Sequence, residues 1–336
     1  MKSKEKKRLV VILAVVILLL LIAAVALYVV KNNSRAKAVT ENMKKSTAAS
    51  VSQAGDDTIT YDGQKYVYNK NLTNILFMGV DKKETVTLKD TPGVAGQADC
   101  IMIISLDKES QTARILQISR DSMTDIDIYD ANGNYYTSVN AQLATQYAYG
   151  NAEQSSCWAM KKTVSELLFD LPIDGYVSLN IDAISTMNDA VGGVEITIPE
   201  DYTVIDPAFV KGETVKLTGA QAEKYVRYRD TDQQGSNNGR MQRQVQYIPA
   251  LISALRNKVG AAGDYYEAFY PVIKPYLVTD LSADQINDLA RYQLDDSGTE
   301  YVPGEAVAGE EHEEFHVDDE KLQKLLTEYV PGEAVA

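Results

Sequence analysis

Apolar residues run without interruption from Leu9 to Val30, a stretch about 33 Å long as a helix and so long enough to cross a bilayer's hydrocarbon. We expect residues 9–30 to be an uncleaved membrane anchor. A cleaved signal peptide, with Ala24-Val25-Ala26 imitating a cleavage site, is the competing reading, but the run is longer than the apolar region such signals use. Beyond it the pattern breaks. Residues 31–57 are rich in Ser, Ala, Asn and Lys with no sustained apolar period, and they read as a stalk. From residue 58 onward short apolar runs alternate with helical periods, and the chain reads as one domain over 58–294.

That domain opens with "ITYDGQKYVYN", an alternating pattern around Asp62-Gly63 that predicts a hairpin. "NILFMGV" (74–80) is a short apolar run expected as a buried strand that delivers Asp81 at its end. A loop with Gly, Pro and Thr follows, ending at Asp99 just before "CIMIISLD". "TARILQIS" is a third buried strand and leads into Arg120-Asp121. "DIDIYDANGNYYTSV" reads as a hairpin turning at Asn132-Gly133. Asn140 is expected to cap a helix to Tyr149, and Ser155 or Ser156 to open a longer one to about Leu171. "GYVSLN" and "VEITIP" are strands flanking the helix "IDAISTMNDAV". Helices are expected over 219–229 and 240–258, and Ser282 with Gln285 makes a capping box for another. Strands interleaved with helices predict an α/β fold: a single αβα domain, a central mixed sheet covered by helices on both faces.

Charge changes this picture in three places. Lys2, Lys4, Lys6, Lys7 and Arg8 precede the anchor against one Glu5, so residues 1–8 should stay cytoplasmic and the domain should be extracellular, on a single-pass cell-membrane anchor. The chain as a whole carries −14, and its basic end lies before the anchor, so the exported part is more acidic still. That excludes nucleic acid as a partner, since such binding draws on a basic surface. Residues 295–336 read as an acidic tail, in which the decapeptide "TEYVPGEAVA" occurs twice, at 299–308 and 327–336. One copy is expected to be a terminal strand and the other a redundant duplicate. The two cysteines, Cys100 and Cys157, are too few for a stapled scaffold, and sequence leaves their pairing open.

Against this acidic background, "YVRYRDTDQQGSNNGRMQRQ" (225–244) concentrates Arg227, Arg229, Arg240 and Arg243 around a polar loop. Guanidinium forks fit phosphate bidentately, so the stretch suggests a phosphoryl site. A solvated basic helix face is the plain alternative. Arg240 and Gln244 are four apart and share a helix face. Arg227 and Arg229 cannot share one, so both serve one site only if the backbone between them is extended. Arg243 reads as structural.

Taken in order, "NILFMGVD", the Asp99 strand, "ISRDSM", "VNAQLATQYAYG", "DAVGGVEITIP", "LTGAQAEKYVRYRD" and "GRMQRQ" resemble the LytR-CpsA-Psr proteins of bacterial cell envelopes, over about residues 58–260. The resemblance implies a phosphotransferase that binds a polyprenyl (pyro)phosphate lipid and transfers its glycan polymer to a peptidoglycan acceptor. Carried over by position, Asp81 and Asp99 are the expected Mg²⁺ ligands; two carboxylates suit a cation that fills its octahedron with water and phosphate oxygens. Arg120, beside Asp121, matches the strand-end arginine, and these two are the expected catalytic pair. Arg227, Arg229, Arg240 and Gln244, with Arg120, match the pyrophosphate-binding positions. A pyrophosphatase side activity would accompany such a site, and the anchor would hold it beside its membrane lipid.

The chain departs from the family pattern at Lys83, Gln97, Ala98, Ser119 and Ser138, which removes at least two positive charges. Two charge-assisted contacts at about 1.5–3 kcal/mol each correspond to a hundredfold or more in rate. A non-catalytic lipid- or glycan-binding envelope protein is therefore the alternative reading. A transcriptional attenuator ranks last, because no helix-turn-helix with a basic face is apparent.

Overall fold

The computed structural model describes residues 58–329 except 90, 231, 232, 234, 261, 262 and 311, together with residues 31, 34, 37–43 and 45. The anchor expected over 9–30 lies outside the described residues, among which no helix is long and apolar enough to cross a membrane.

In chain order, a helical segment at 37–43 (α1) precedes the hairpin β1 (Thr58–Tyr61) and β2 (Gln64–Val67), which turns at Asp62-Gly63 with both residues at positive φ. The long strands β3 (Leu72–Val80), β4 (Ala98–Asp107) and β5 (Thr112–Ile118) follow, then the hairpin β6 (Met123–Tyr129) and β7 (Tyr135–Gln142). Next come α2 (Gln154–Leu167), β8 (Gly175–Asn180), α3 (Asp182–Ala190), β9 (Val194–Thr197), β10 (Thr214–Leu217), α4 (Gly219–Arg227) and α5 (Ser236–Val259). The chain continues with α6 (Tyr265–Ile273), β11 (Leu277–Thr279), α7 (Ala283–Arg291), β12 (Gln293–Tyr301), β13 (Gly304–Ala308), β14 (Glu313–Val317) and α8 (Asp319–Tyr329).

The central sheet has the order β11-β8-β3-β4-β5-β12. It is mixed: β3 lies parallel to β8 and antiparallel to β4, and β12 lies parallel to β5. Strand side chains alternate between the two faces, and both faces are covered. Leu76, Met78, Ile101, Ile103, Leu116 and Ile118 pack on one side with Cys157, Met160 and Val164 of α2 and Leu322 and Leu326 of α8. On the other, Phe77, Met102, Ile104, Val177 and Leu179 meet α3, α4 and α5. This double burial explains why the strands read as nearly continuous apolar runs. Cys100 and Cys157 lie in the clusters on opposite faces and are both free; burial pushes the Cys100 thiol up to about 12.

Three local expectations change. Asn140 does not cap a helix: it sits in β7 opposite Asp125, and the strand runs to Gln142 before a 3-10 turn takes over at Leu143–Tyr149. Ladder pairing with β6 extends this strand past the polar signal that suggested a helix start. The stalk is not wholly separate from the domain, since Val39 and Met43 of α1 are buried against Tyr129 and Ala159. Gly133 allows that approach, because a Cβ on it would lie 2.3 Å from the Val39 carbonyl oxygen.

Residues 295–329, expected as a tail, are built into the domain. β12 is an edge strand of the central sheet, and α8 inserts Leu322, Leu326 and Tyr329 into the core. The capping box of Ser282 and Gln285 forms as read.

Candidate functional site

The expected site residues lie where several strands end together. β3 terminates at Val80, β4 starts beside it at Ala98, and β5 ends at Ile118. Because β4 runs antiparallel to both neighbours, Asp81, Asp99 and Arg120 emerge at the same edge of the sheet. The placement of Asp99 has a further cause. Gly79 pairs with Cys100 and Val80 with Ala98, which leaves Asp99 as the extra residue of a bulge. A bulge bends the strand and re-aims a side chain.

Asp99 joins two arginines that are far apart in sequence. Its Oδ1 lies 3.0 Å from Arg120 Nη1 and its Oδ2 3.7 Å from Arg240 Nη1. Arg120 also approaches Asp121, with Nε 3.6 Å from Oδ1, and donates from Nη2 to Gln97 Oε1. Asp121 is 1% exposed. Gln142 Nε2 donates to its Oδ1 at 3.0 Å, and Arg229 Nη1 lies 3.3 Å from its Oδ2. Burial raises the Asp121 carboxyl above its ordinary value of 3.8, against the pull of Arg120 and Arg229.

The arginine stretch 225–244 divides its members among different tasks. Thr218 and Gln221 form a capping box that starts α4. The helix ends at Arg227, and Tyr228 turns extended at φ −54 and ψ 132, so the backbone does leave the helix between Arg227 and Arg229. Arg227 pairs with Glu223 one turn back at 3.3 Å, while Arg229 reaches Asp121. In α5, Arg240 donates to Asn237 Oδ1 from Nε and Nη2, and burial pulls its guanidinium below the usual 12.5. Gln244 donates to the Val226 carbonyl oxygen at 3.2 Å. Arg243 is structural as read: it donates to the carbonyls of Tyr225 and Tyr228 and stacks over Tyr202.

Asp81 is exposed, and its Oδ1 accepts from the Gln97 amide at 2.7 Å. Asp99 Oδ1 is buried and ion-paired with Arg120, with no well-aligned hydrogen bond. Two hard oxygen donors near the ends of adjacent strands fit Mg²⁺ by ligand type. Among the described residues no three His, Cys, Asp or Glu side chains gather as a ready cage, so any cation there would take most of its shell from water and substrate.

Beside this cluster opens an apolar cavity of about 220 Å³, between the sheet and the helices α3, α5, α6 and α7. Phe77, Val177, Ile184, Ile248 and Leu251 are among its apolar walls, and Asp99, Arg227, Arg240 and Gln244 are among its polar lining, with Asn180 and Thr279. Asp99 and Arg240 of the charged cluster are therefore part of the wall of an apolar space.

Sequence reasoning missed Asn237, Gln142 and Glu313. Asn237 precedes Arg240 by one helical turn, a spacing that could have revealed it. Glu313 could not have been found this way: it reaches Arg229 Nη2 at 3.0 Å across 84 positions of sequence.

A family model for the LytR_cpsA_psr family matches residues 26–329. The chain is 30% identical over 218 residues to the polyisoprenyl-teichoic acid–peptidoglycan teichoic acid transferase TagU of Halalkalibacterium halodurans, covering 64% of this chain and 63% of that protein. The match thus spans less than two thirds of that relative's length. It is 25% identical over 246 residues to TagU of Bacillus subtilis, covering 73% of this chain and 71% of that one. In fold it is similar to the crystal structure of B. subtilis TagV, with a TM-score of 0.58 at 23% identity over 79% of this chain and 99% of that one.

Proposed function

The chain belongs to the LytR-CpsA-Psr family, and from that premise we propose that it is a membrane-anchored, extracellular phosphotransferase that moves a glycan polymer from a polyprenyl pyrophosphate lipid to peptidoglycan. The names of its relatives specify polyisoprenyl-linked teichoic acid and peptidoglycan; a capsule or another wall glycan would present the same pyrophosphate. The observation that carries the reading is the continuity of cavity and cluster. Asp99, Arg227, Arg240 and Gln244 line the same cavity as its apolar walls, an arrangement that suits a ligand with a prenyl chain on one side of a pyrophosphate and a sugar on the other.

In this mechanism the cavity walls bury the prenyl chain, and Arg120, Arg229 and Arg240 take phosphate oxygens. An acceptor hydroxyl attacks the phosphorus that carries the glycan, the bond to the bridging oxygen breaks, and polyprenyl phosphate leaves. Asp121 receives the hydroxyl proton. The arginines are held by carboxylates before substrate arrives, so they stabilise developing charge with little reorganisation. Mg²⁺ held by Asp81 and Asp99 would supply Lewis-acid neutralisation of the phosphate charge. Water in place of the hydroxyl would give a pyrophosphatase side reaction.

The test is incubation of the purified full chain in detergent with a lipid-pyrophosphate-linked saccharide, peptidoglycan and Mg²⁺. Glycan appearing on peptidoglycan is the expected result. Absence of both transfer and pyrophosphate cleavage, with lipid binding intact, would instead establish the second reading, a non-catalytic binder. The contact favouring that reading is Gln97, a neutral acceptor for Arg120 where the family pattern has a cation.

Two further outcomes follow. Ile184→Trp puts an indole into empty space rather than into packed core, so the thermal midpoint should barely move, while retention of a fluorescent polyprenyl phosphate falls at least tenfold. Asp121 must be ionised to accept a proton. Its raised value places the acid limb of the pH–rate profile above 3.8, and Asp121→Asn should remove that limb together with most of the activity.

A further inference from the structure

The acidic C-terminal segment sends one carboxylate into the cluster, and its setting is that of a fixed part. Glu313 is the first residue of β14, and its side chain is only 12% exposed. Oε1 lies 3.0 Å from Arg229 Nη2, while Oε2 accepts from the Gly235 amide at 2.5 Å. Gly235 is the N-cap of α5, at φ 76, so the carboxylate also sits at the positive end of a long helix.

The backbone around Glu313 is tied to the same place. Gln142 Nε2 donates both to the Glu313 carbonyl oxygen at 2.8 Å and to Asp121 Oδ1 at 3.0 Å. The Phe315 amide donates to the Asp121 carbonyl oxygen at 2.8 Å. Strand β14 is thus registered against the catalytic segment itself.

Arg229 needs such support, because it lies just past the end of α4 and no helical turn fixes it. Its guanidinium is held from three sides: Asp121 at Nη1, Glu313 at Nη2 and the Ser236 hydroxyl at Nε. A guanidinium has five N–H donors, so the fork can meet these three described partners and still face a ligand. We propose that Glu313 is a positioning residue for pyrophosphate recognition, which aims Arg229 and ties it to the start of α5, the helix that carries Arg240 and Gln244. The inference rests on the lipid-pyrophosphate reading of the site.

Both Glu313 oxygens act as acceptors, so glutamine, with one acceptor and one donor, cannot replace both contacts. The test compares full-length wild type, Glu313→Gln, Arg229→Ala and the double variant in detergent. The ligands are undecaprenyl pyrophosphate and the uncharged alcohol undecaprenol. Glu313→Gln should weaken pyrophosphate binding about tenfold, leave undecaprenol binding unchanged, and add nothing further once Arg229 is alanine. A purely structural role would weaken both lipids together, and a carboxylate that merely competes with phosphate would give tighter pyrophosphate binding on substitution. Either result overturns the inference, as does unchanged affinity or an additive double variant. A harmless Arg229→Ala in a chain that binds pyrophosphate overturns this inference alone. Failure of the wild type to bind the pyrophosphate lipid overturns it together with the functional reading.

Discussion

Arg120→Ala is expected to reduce glycan transfer by about a hundred- to a thousandfold, the loss that accompanies removal of one preorganised donor from a transition state, about 3–4 kcal/mol. Arg120 touches Asp99 and Asp121 with one guanidinium, so its removal also leaves two partly or fully buried carboxylates with one cation fewer. Asp121 should then ionise at still higher pH, and the acid limb should move up. Arg120→Lys restores the charge but not the planar fork, and recovery should be partial. Polyprenyl phosphate binding should survive in both, because the apolar cavity and Arg240 remain. A variant with wild-type transfer would remove Arg120 from the mechanism.

A chain stopped at Leu294 is expected to lose cooperative unfolding altogether. Truncation strips all but the first two residues of β12 from the edge of β5 and removes α8, whose Leu322 and Leu326 are both 0% exposed. Replacing one such leucine with alanine costs about 2–5 kcal/mol, and a whole domain commonly has only about 5–15. The end of α8 is further secured by Arg114 of β5, which donates to the Tyr329 carbonyl oxygen at 3.3 Å and pairs with Asp295 at 3.0 Å. Leu326→Ala alone should lower stability by about 2–5 kcal/mol in urea unfolding, whereas Lys324→Gln, on the exposed side of the same helix, should stay within about 0.5. A truncated chain that melts like the full one would return this segment to the status of a dispensable tail.

The strand runs and helical periods were legible because each element is covered by its own local pattern. "NILFMGV" and "CIMIISLD" could only be buried on both sides, and the Ser282 and Gln285 capping box announced its helix. The site was legible in pieces. Asp99 stood out as a carboxylate before an apolar strand, and Arg240 with Gln244 as one helix face. The bulge that turns Asp99 toward Arg120 and Arg240 left no local sign, since it depends on which residues of β3 and β4 are paired. Acidic content likewise misread residues 295–329: charge counts solvated side chains, and Leu322, Leu326 and Phe315 among them were enough to anchor the segment.

The repeated decapeptide separates the two kinds of information. Thr-Glu-Tyr at 299–301 closes strand β12, and the same three residues at 327–329 end helix α8. In the first copy the open edge of β5 supplies parallel ladder partners. In the second the preceding turns already bury Leu322 and Leu326 at helical spacing, and each added residue extends an existing hydrogen-bonded turn. By itself the sequence determined the class of fold, most of the residues of the candidate site and the family. Tertiary structure alone decided that two arginine-bearing segments converge on Asp99 and that Glu313 joins them. Those contacts cross tens to more than a hundred positions of chain, and only the packed sheet and helices bring their ends together.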